Sequence, residues 1–145
     1  MCGIAGWSRA AGVNDSLVLL DAMTSAIAHR GPDDRGTFAN AGEGIAIGHV
    51  RLSIIDLSNA GHQPMPSDDG SVTLAFNGEL YNYKELRHEL EESGRAFHSR
   101  SDTEVAANAF ATGDRRPWSA LWACSPLRPG SRIRGDSCSR ATRRA

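Results

Sequence analysis

The second residue of the chain is a cysteine followed by a glycine, and this pair could place a nucleophile at the amino terminus. Cys2 is small enough for Met1 to be removed, which would leave a thiol and a free α-amine on one residue. An α-amine has a reference pKa near ~8, so part of it is neutral at pH 7 and can accept the thiol proton, directly or through a water. Cysteine is also common as a buried structural residue. Position alone leaves both interpretations open.

A second candidate is Arg51, the only charge in a β-rich apolar run at residues 44–55. An arginine in such a strand needs a partner, and a nearby acid in a structural ion pair is one candidate. Residues 72–76 predict another strand, which stops at the strong turn signal Asn77-Gly78.

The amino-terminal elements follow from the apolar pattern. Residues 2–7 alternate small and apolar side chains, which predicts a short buried strand. Asn14 and Asp15 are candidate caps of a helix that should end near the turn at residues 30–32. The apolar side chains of this helix are Leu17, Leu20, Met23 and Ile27. The segment HRGPDD, residues 29–34, is therefore expected on a loop.

Two further helices are predicted after the Asn-Gly turn. Asn82, with Glu85 three residues later, suggests a capping box that opens a helix ending near Gly94. Its apolar stripe consists of Tyr83, Leu86 and Leu90. The last helix is expected to begin after Ser101 and Asp102.

Composition restricts the class of protein. A chain of 145 residues with 40% hydrophobic residues and a net charge of −1 suits one globular domain. No stretch approaches the ~18 apolar residues of a membrane span and no targeting segment opens the chain, so we expect a cytoplasmic protein without membrane contact. The other cysteines, Cys124 and Cys138, make three in all, too few for a disulfide framework, and no CxxC pair indicates a metal site.

The carboxyl-terminal part differs from the rest. Residues 115–145 hold eight arginines and one acid, without lysine and without a helical charge stripe, which argues against nucleic-acid binding. From residue 113 onwards neither a period of 2 nor one of 3.6 can be followed, so we expect a disordered tail that supplies no strands. Its composition is that of a G+C-rich coding sequence read out of frame, and we hypothesise a frameshift near codon 112.

Five motifs occur in the order found in asparagine synthetases, and residues 1–112 resemble the glutamine-hydrolysing domain of that family. The motifs are MCGIAGW (1–7), HRGPDD (29–34), GHVRLSIIDLSNAGHQPM (48–65), FNGELYNYKELR (76–87) and SDTEV (101–105). The resemblance implies an amino-terminal-nucleophile hydrolase fold, which is α+β: a four-layer α/β/β/α sandwich of antiparallel sheets, here incomplete at the carboxyl terminus. We expect such an incomplete domain to be poorly soluble and weakly active.

The resemblance implies that Cys2 attacks the side-chain amide of glutamine, forms a glutamyl thioester and releases ammonia. It places Asn77 and Gly78 as donors to the developing oxyanion. The Asn77 side-chain amide and the Gly78 backbone N–H can point at one spot, although a hairpin turn is the commoner use of this pair.

The same resemblance assigns the rest of the glutamine pocket. Arg51 corresponds to the clamp on the α-carboxylate, and Glu79 and Asp102 to the positions that receive the α-ammonium. A helix cap at Thr103 is also compatible with Asp102. The pocket-lining positions are Leu52, Ser53, Ile54 and Ile55.

No histidine is expected to act as the base, because the α-amine can serve. The resemblance makes His29 and Arg30 part of a structural loop near the site. The four other histidines are expected at the surface or in packing; they are His49, His62, His88 and His98.

Asparagine synthetases also have a second domain, which uses ATP and magnesium to activate aspartate and accept the ammonia. No SGGxDS-like phosphate loop occurs in this sequence. We therefore expect no cofactor for the glutaminase half, and ATP and magnesium only for the missing domain. The implied partners are L-glutamine and an ammonia-acceptor domain, and a homodimer is an open alternative for the intact family.

Other acceptor enzymes share this type of domain. Glucosamine-phosphate synthase, purine-pathway amidotransferases and secondary-metabolite or polysaccharide-cluster relatives are the near alternatives, and the stretch LSIIDLSNAGHQPM favours the asparagine synthetase group. An inactive fragment or an interaction module is the alternative from another class. Every matched pocket position keeps a suitable side chain, which favours the enzyme.

Overall fold

A computed structural model describes residues 2–8 and 17–113, together with the backbone of residues 121–124. Within these residues, two three-stranded antiparallel sheets combine with three α-helices. The α+β class with antiparallel sheets is therefore confirmed.

The first sheet contains β1 (Gly3–Ser8), β2 (Asp34–Asn40) and β3 (Ile45–Arg51) in the order β1-β3-β2. The central strand β3 is the most buried of the three, whereas β1 lies at an edge and is buried only at Gly3. The strand predicted at residues 2–7 is confirmed, but most of it is partly exposed. No strand was predicted at β2.

The run at residues 44–55 was predicted as one β-rich segment, and the strand in fact ends at Arg51. The backbone of residues 52–55 leaves the sheet. The apolar residues Ile54 and Ile55 are exposed, so their β propensity is not used for packing.

The second sheet contains β4 (Met65–Pro66), β5 (Thr73–Phe76) and β6 (Leu121–Cys124) in the order β4-β5-β6. The strand predicted at residues 72–76 is confirmed, and all four residues of β5 are buried. β6 lies in the tail for which no strand was predicted, so that expectation is wrong at these four positions. The composition of the whole tail concealed a short apolar stretch that can pair with β5. The boundary near residue 112 and the out-of-frame origin stay predictions.

Helix α1 (Leu17–Ala26) packs on the first sheet, mainly against β3 and β1. Leu20 and Thr24 are its buried residues, and Gly48 of β3 gives Thr24 the space to approach. Leu17, assigned to the apolar stripe, is 64% exposed. A 3-10 turn at Ala28–Arg30 follows, where the end of the helix was expected. The candidate caps Asn14 and Asp15 lie outside the described residues.

Helices α2 (Tyr83–Glu92) and α3 (Asp102–Ala111) pack against each other, and α3 lies on β5 and β4. The predicted stripe of α2 is confirmed, since Leu86 and Leu90 are buried in its core cluster and Tyr83 packs against them. The other buried members of that cluster are Val105 and Ala109. The first eight residues of α3 are buried, which ties this helix firmly to the sheet.

The two helix caps differ from the predictions. Asn82 precedes α2 but its side chain makes no capping hydrogen bond, so the capping box with Glu85 is wrong. The hydroxyl of Ser101 accepts from the backbone N–H of Thr103 over 3.1 Å and caps α3. The N-cap residue of α3 is thus Ser101, and the Asp102 carboxylate in the first turn also accepts from the backbone N–H of Thr103.

Candidate active site

Cys2 is half-buried at the start of β1, beside the residue that follows β3. The register pairs Gly3 with Val50, which brings Cys2 to the carboxyl end of β3. The backbone N–H of Leu52 donates to Sγ of Cys2 over 3.4 Å, and Sγ lies 3.8 Å from the carbonyl oxygen of Leu52. Nε of Arg30 donates to the backbone carbonyl of Cys2 over 3.1 Å. Within the described residues, no histidine hydrogen-bonds to Cys2.

The HRGPDD segment packs along the same strand end. The backbone N–H of Asp33 donates to the carbonyl of Arg51 over 3.0 Å, and the Asp33 carboxylate accepts from the N–H of Ser53 over 2.7 Å. A Cβ at Gly31 would come within 2.5 Å of the backbone N of Arg51, so only glycine permits this approach. The segment therefore supports the strand end that carries the predicted pocket.

Arg51 is buried, with 5% of its surface exposed. Its Nη1 donates to the backbone carbonyl of Ser58 over 3.1 Å, and Nη2 makes a short hydrogen bond to the carbonyl of Asp56. No carboxylate of the described residues forms an ion pair with it. The two carbonyl oxygens orient the guanidinium but do not neutralise its positive charge, as an acid in a structural ion pair would. The arrangement is therefore compatible with a carboxylate ligand.

The Asp56 side chain is occupied elsewhere. It accepts from the hydroxyl and the backbone N–H of Ser58 over 2.6 and 2.8 Å, and from the backbone N–H of Arg100 over 2.8 Å. The Ser58 hydroxyl is the main cause that holds the pKa of Asp56 below its usual value, and the charge of Arg51 contributes less. Asp56 thus joins the loop after β3 to the segment that leads into α3.

Two of the predicted pocket residues, Asp102 and Glu79, influence each other electrostatically. Asp102 is 6% exposed and accepts from the backbone N–H of Leu80 over 3.0 Å, while Glu79 is exposed. Burial raises the pKa of Asp102, and the neighbouring charge of Glu79 raises it further, against the hydrogen bonds from Leu80 and Thr103. A cation placed between the two carboxylates would relieve both effects.

Asn77 and Gly78 follow directly after β5, where Asn77 is half-buried and Gly78 exposed. Nε2 of His49 hydrogen-bonds to the carbonyl of Phe76 over 3.2 Å, which joins β3 to the end of β5. The carboxyl ends of both strands therefore lie near each other, with Arg51 ending one and Asn77 following the other. No hydrogen bond connects Cys2 to Asn77 or Gly78 in the described part of the chain.

The four predicted pocket-lining residues divide into two pairs. Leu52 and Ser53 are half-buried and contact Cys2 and Asp33 respectively. Ile54 and Ile55 are 64% and 40% exposed. The structure brings the first pair to the strand end and leaves the second pair open to solvent.

Sequence reasoning missed three buried polar residues beside the site, namely His49, Gln63 and Thr103. His49 was expected in packing or at the surface, and it is fully buried and bridges the two sheets. A signal was available in the sequence, because His49 and Arg51 are two residues apart in a strand and so share a face.

Among residues 2–8, 17–113 and 121–124, no three His, Cys, Asp or Glu side chains are grouped so that they could hold a metal ion. None of the helices in the same residues is long and apolar enough to cross a membrane.

Cys2 thus lies at the end of the strand that Arg51 terminates, and comparison with known proteins gives the class of protein. The glutamine amidotransferase domain family matches residues 1–117. The chain therefore belongs to the glutamine amidotransferase domain family, a family of glutamine-hydrolysing enzymes.

Several relatives of this chain are known. It is 45% identical over 108 residues to asparagine synthetase [glutamine-hydrolyzing] 1 of Bacillus subtilis, which covers 72% of this chain and 17% of that protein. It is 38% identical over 115 residues to amidase chry2 of Gibberella zeae, again 72% of this chain and 17% of the relative. Putative asparagine synthetase [glutamine-hydrolyzing] 2 of Methanocaldococcus jannaschii is 39% identical over 126 residues, 76% of this chain and 24% of the relative. The chain thus spans less than a quarter of the length of these relatives.

Proposed function

We propose that this chain hydrolyses the side-chain amide of glutamine with Cys2 as the nucleophile. The observation that carries the proposal is the position of the Cys2 thiol at the end of β3, in contact with Leu52. The preceding residue, Arg51, forms no ion pair with any carboxylate in the part of the chain that the structure describes. Membership of the glutamine amidotransferase family supplies the class of substrate.

The proposed pocket recognises both charged ends of glutamine. Arg51 pairs with the α-carboxylate through the N–H groups that the backbone carbonyls leave free. Asp102 and Glu79 receive the α-ammonium, whose positive charge would offset both the burial of Asp102 and its repulsion by Glu79. Leu52, Ser53, Ile54 and Ile55 form the proposed lining.

In the proposed reaction, the α-amine of Cys2 accepts the thiol proton and sulfur attacks the amide carbon of glutamine. The Asn77 amide and the Gly78 N–H stabilise the oxyanion of the tetrahedral adduct. The adduct collapses with cleavage of the C–N bond, and the proton held by the α-amine leaves with ammonia. Water then attacks the thioester, which releases glutamate and restores the thiol.

We also propose the four-layer arrangement of the family for this fold. Support comes from β3, in which Gly48 lies against α1 while His49 reaches β5. Helix α3 packs on β5 and β4 of the second sheet. The proposed layers are therefore α1, the first sheet, the second sheet, and the α2–α3 pair.

The acceptor of the ammonia is proposed from the relatives. Several of them are named asparagine synthetases, so we propose that the intact protein contains an ATP- and magnesium-dependent domain that uses the ammonia to make asparagine. Amidase chry2 shows that the same segment occurs in a protein with another name, and a different acceptor is the second candidate. No described residue is assigned to ATP or magnesium, and the cytoplasmic location stays a prediction.

The test combines mass spectrometry with turnover. We expect the purified chain to lack Met1, to gain one adduct from a diazo-ketone analogue of glutamine on Cys2, and to form glutamate and ammonia from glutamine. Cys2→Ala should abolish the adduct and lower glutamate formation to background. Cys138→Ala, which removes a thiol without a proposed role, is the matched control. Retention of Met1, or equal turnover by Cys2→Ala, would contradict the proposal.

A further inference from the structure

Each segment that carries proposed pocket residues contains or adjoins a buried polar side chain. His49 lies two residues before Arg51, and Thr103 directly follows Asp102. His49 hydrogen-bonds directly to Phe76, the residue before Asn77. Thr103 connects to Phe76 through the side chain of Gln63. These three polar side chains are between 0% and 4% exposed. Such burial is unusual for polar groups unless their hydrogen bonds are needed.

Both backbone polar groups of Phe76 are bonded to side chains. Nε2 of His49 hydrogen-bonds to its carbonyl oxygen over 3.2 Å, and its N–H donates to Oε1 of Gln63 over 2.7 Å. Nε2 of Gln63 then donates to the hydroxyl of Thr103 over 3.1 Å. The chain therefore enters the Asn77-Gly78 turn from a residue whose two backbone polar groups are both fixed by buried side chains.

The hydrogen bond defines the tautomer of His49. A carbonyl oxygen only accepts, so Nε2 carries the proton and Nδ1 is the unprotonated nitrogen. Nδ1 is buried and has no hydrogen-bond partner in the described part of the chain. An apolar side chain at this position would not bury an unpaired nitrogen, which costs stability. We therefore infer that the imidazole serves as the N–H donor to the Phe76 carbonyl.

We propose that His49 and Gln63 are positioning residues that hold the carbonyl and the N–H of Phe76 and so direct the Asn77 amide and the Gly78 N–H toward the substrate oxygen. The inference rests on the proposed function, because it assigns these residues to the oxyanion donors of that reaction. Neither side chain touches the reacting atoms. Their effect is on the angle and distance of donors that act mainly in the transition state.

This role predicts a specific kinetic pattern. His49→Phe keeps a ring of similar shape but removes the donor, and we expect kcat for glutamine hydrolysis to fall by about tenfold to a hundredfold. The KM for glutamine should stay within about threefold, because the donors contribute little to ground-state binding. His49→Gln places an amide N–H near the position of Nε2 and should recover kcat to within about threefold of the wild type.

A second variant and a control separate positioning from general damage. Gln63→Met removes the other anchor of Phe76 at similar length and should also lower kcat with little change in KM. Asn108→Leu is the control, since Asn108 is equally buried on α3 but bonds to the backbone of Asp68 outside the proposed pocket. We expect Asn108→Leu to lower the melting temperature without changing kcat of the folded protein. If His49→Phe lacks a cooperative melting transition, the kcat of Gln63→Met is compared with that of Asn108→Leu. A lower kcat in Gln63→Met alone supports positioning, and equal values contradict it.

The outcomes distinguish this inference from the proposed function. Turnover by the wild type that disappears in Cys2→Ala establishes glutamine hydrolysis independently of His49. If that turnover is present and both His49→Phe and Gln63→Met keep the wild-type kcat, positioning is wrong and the function stands. A decrease that His49→Gln does not reverse also overturns it, because the donor would then not be the cause. Absence of Cys2-dependent turnover in the wild type would overturn both.

Discussion

The guanidinium of Arg51 donates a hydrogen bond to the backbone carbonyl of Ser58 with an N···O distance of 3.1 Å, so the loop after β3 folds back over the arginine that ends the strand. A second bond reaches the carbonyl of Asp56. Arginine has five N–H donors, and these two bonds use two of them and hold its plane. Under the proposed function, the loop would orient the guanidinium for the α-carboxylate before glutamine binds.

The first prediction concerns Gly61, which lies against this guanidinium. A Cβ at Gly61 would come 2.5 Å from Cζ of Arg51, and neither group can move far because both are buried. We expect Gly61→Ala to displace the guanidinium and raise the KM for glutamine about tenfold, with a smaller effect on kcat. Initial rates over a range of glutamine concentrations would measure both.

Gly42→Ala is the matched control for this substitution. The nearest atom to its Cβ would be Oδ1 of Asn40 at 3.5 Å, an ordinary contact. Its kinetics should equal those of the wild type. An unchanged KM in Gly61→Ala would show that the orientation of Arg51 is not important for binding glutamine.

The second prediction uses the raised pKa of Asp102. Burial raises the pKa of this carboxyl in the folded chain above its usual value of 3.8. Between that value and the raised pKa, the native state binds more protons than the unfolded state. The free energy of unfolding therefore falls as the pH rises from 3.8 through the raised pKa. Asp102→Asn removes the charge, so we expect a higher melting temperature than that of the wild type at pH 7. The decrease in melting temperature between pH 4 and pH 7 should also be smaller in this variant. Melting curves at several pH values would show it.

The same variant should bind glutamine less well. Loss of a charged partner for the α-ammonium costs about 1.5–3 kcal/mol, which corresponds to a rise in KM of roughly tenfold to a hundredfold. Asp21→Asn, which alters an exposed ion pair with Arg35, should leave the KM unchanged. A lower melting temperature of Asp102→Asn at pH 7 would contradict the explanation by burial.

The third prediction follows from the low pKa of His49. Burial is the main cause that lowers it to about 4, Arg51 and His62 add to this effect, and the Phe76 carbonyl and Asp34 oppose it. Because the unfolded state binds the proton more readily, stability rises as the pH increases from about 4 to 6.5, by roughly 3 kcal/mol over the whole window.

Urea unfolding at pH 4.5, 5.5 and 7 would measure this dependence. In His49→Gln the rise between the lowest and highest pH should be smaller by about that amount. His88→Gln is the control, since the side chain of His88 is exposed. This variant should keep the wild-type dependence of stability on pH. An identical pH dependence in His49→Gln and the wild type would exclude His49 as its source.

The fourth prediction compares the two helix starts. Ser101→Ala removes the hydroxyl that accepts from Thr103, and we expect the free energy of unfolding to fall by about 1 kcal/mol. Asn82→Ala should change it by no more than a few tenths, because no side-chain cap exists at α2. Equal losses in the two variants, measured by urea unfolding, would contradict the assignment of the caps.

The comparison of sequence and structure shows which features are local. The stripe of Leu86 and Leu90 was predictable because a helical period appears within ten residues. Strand β2 was not predicted, since Asp34–Asn40 is polar and contains a glycine, and its pairing with β3 supplies the reason for its conformation. The capping pattern at Asn82 was present in sequence without the hydrogen bond, because the geometry at that residue is not suited to it.

Some residues of the candidate site were predictable from sequence, and others were not. Motif order identified Cys2, Arg51 and Asp102 as residues of interest, and the structure places each at a strand or helix end. The support around them could not be predicted, because contacts such as that of His49 with Phe76 join residues 27 positions apart. Such contacts depend on how two sheets face each other and leave no periodic signal in the chain.

The ladder that starts with Gly3 opposite Val50 has a practical consequence for recombinant work. Under the proposed function, an affinity tag fused ahead of Cys2 would acylate the α-amine that accepts the thiol proton. Purification handles therefore belong at the opposite end of the polypeptide, or must be cut off by a protease that exposes the cysteine.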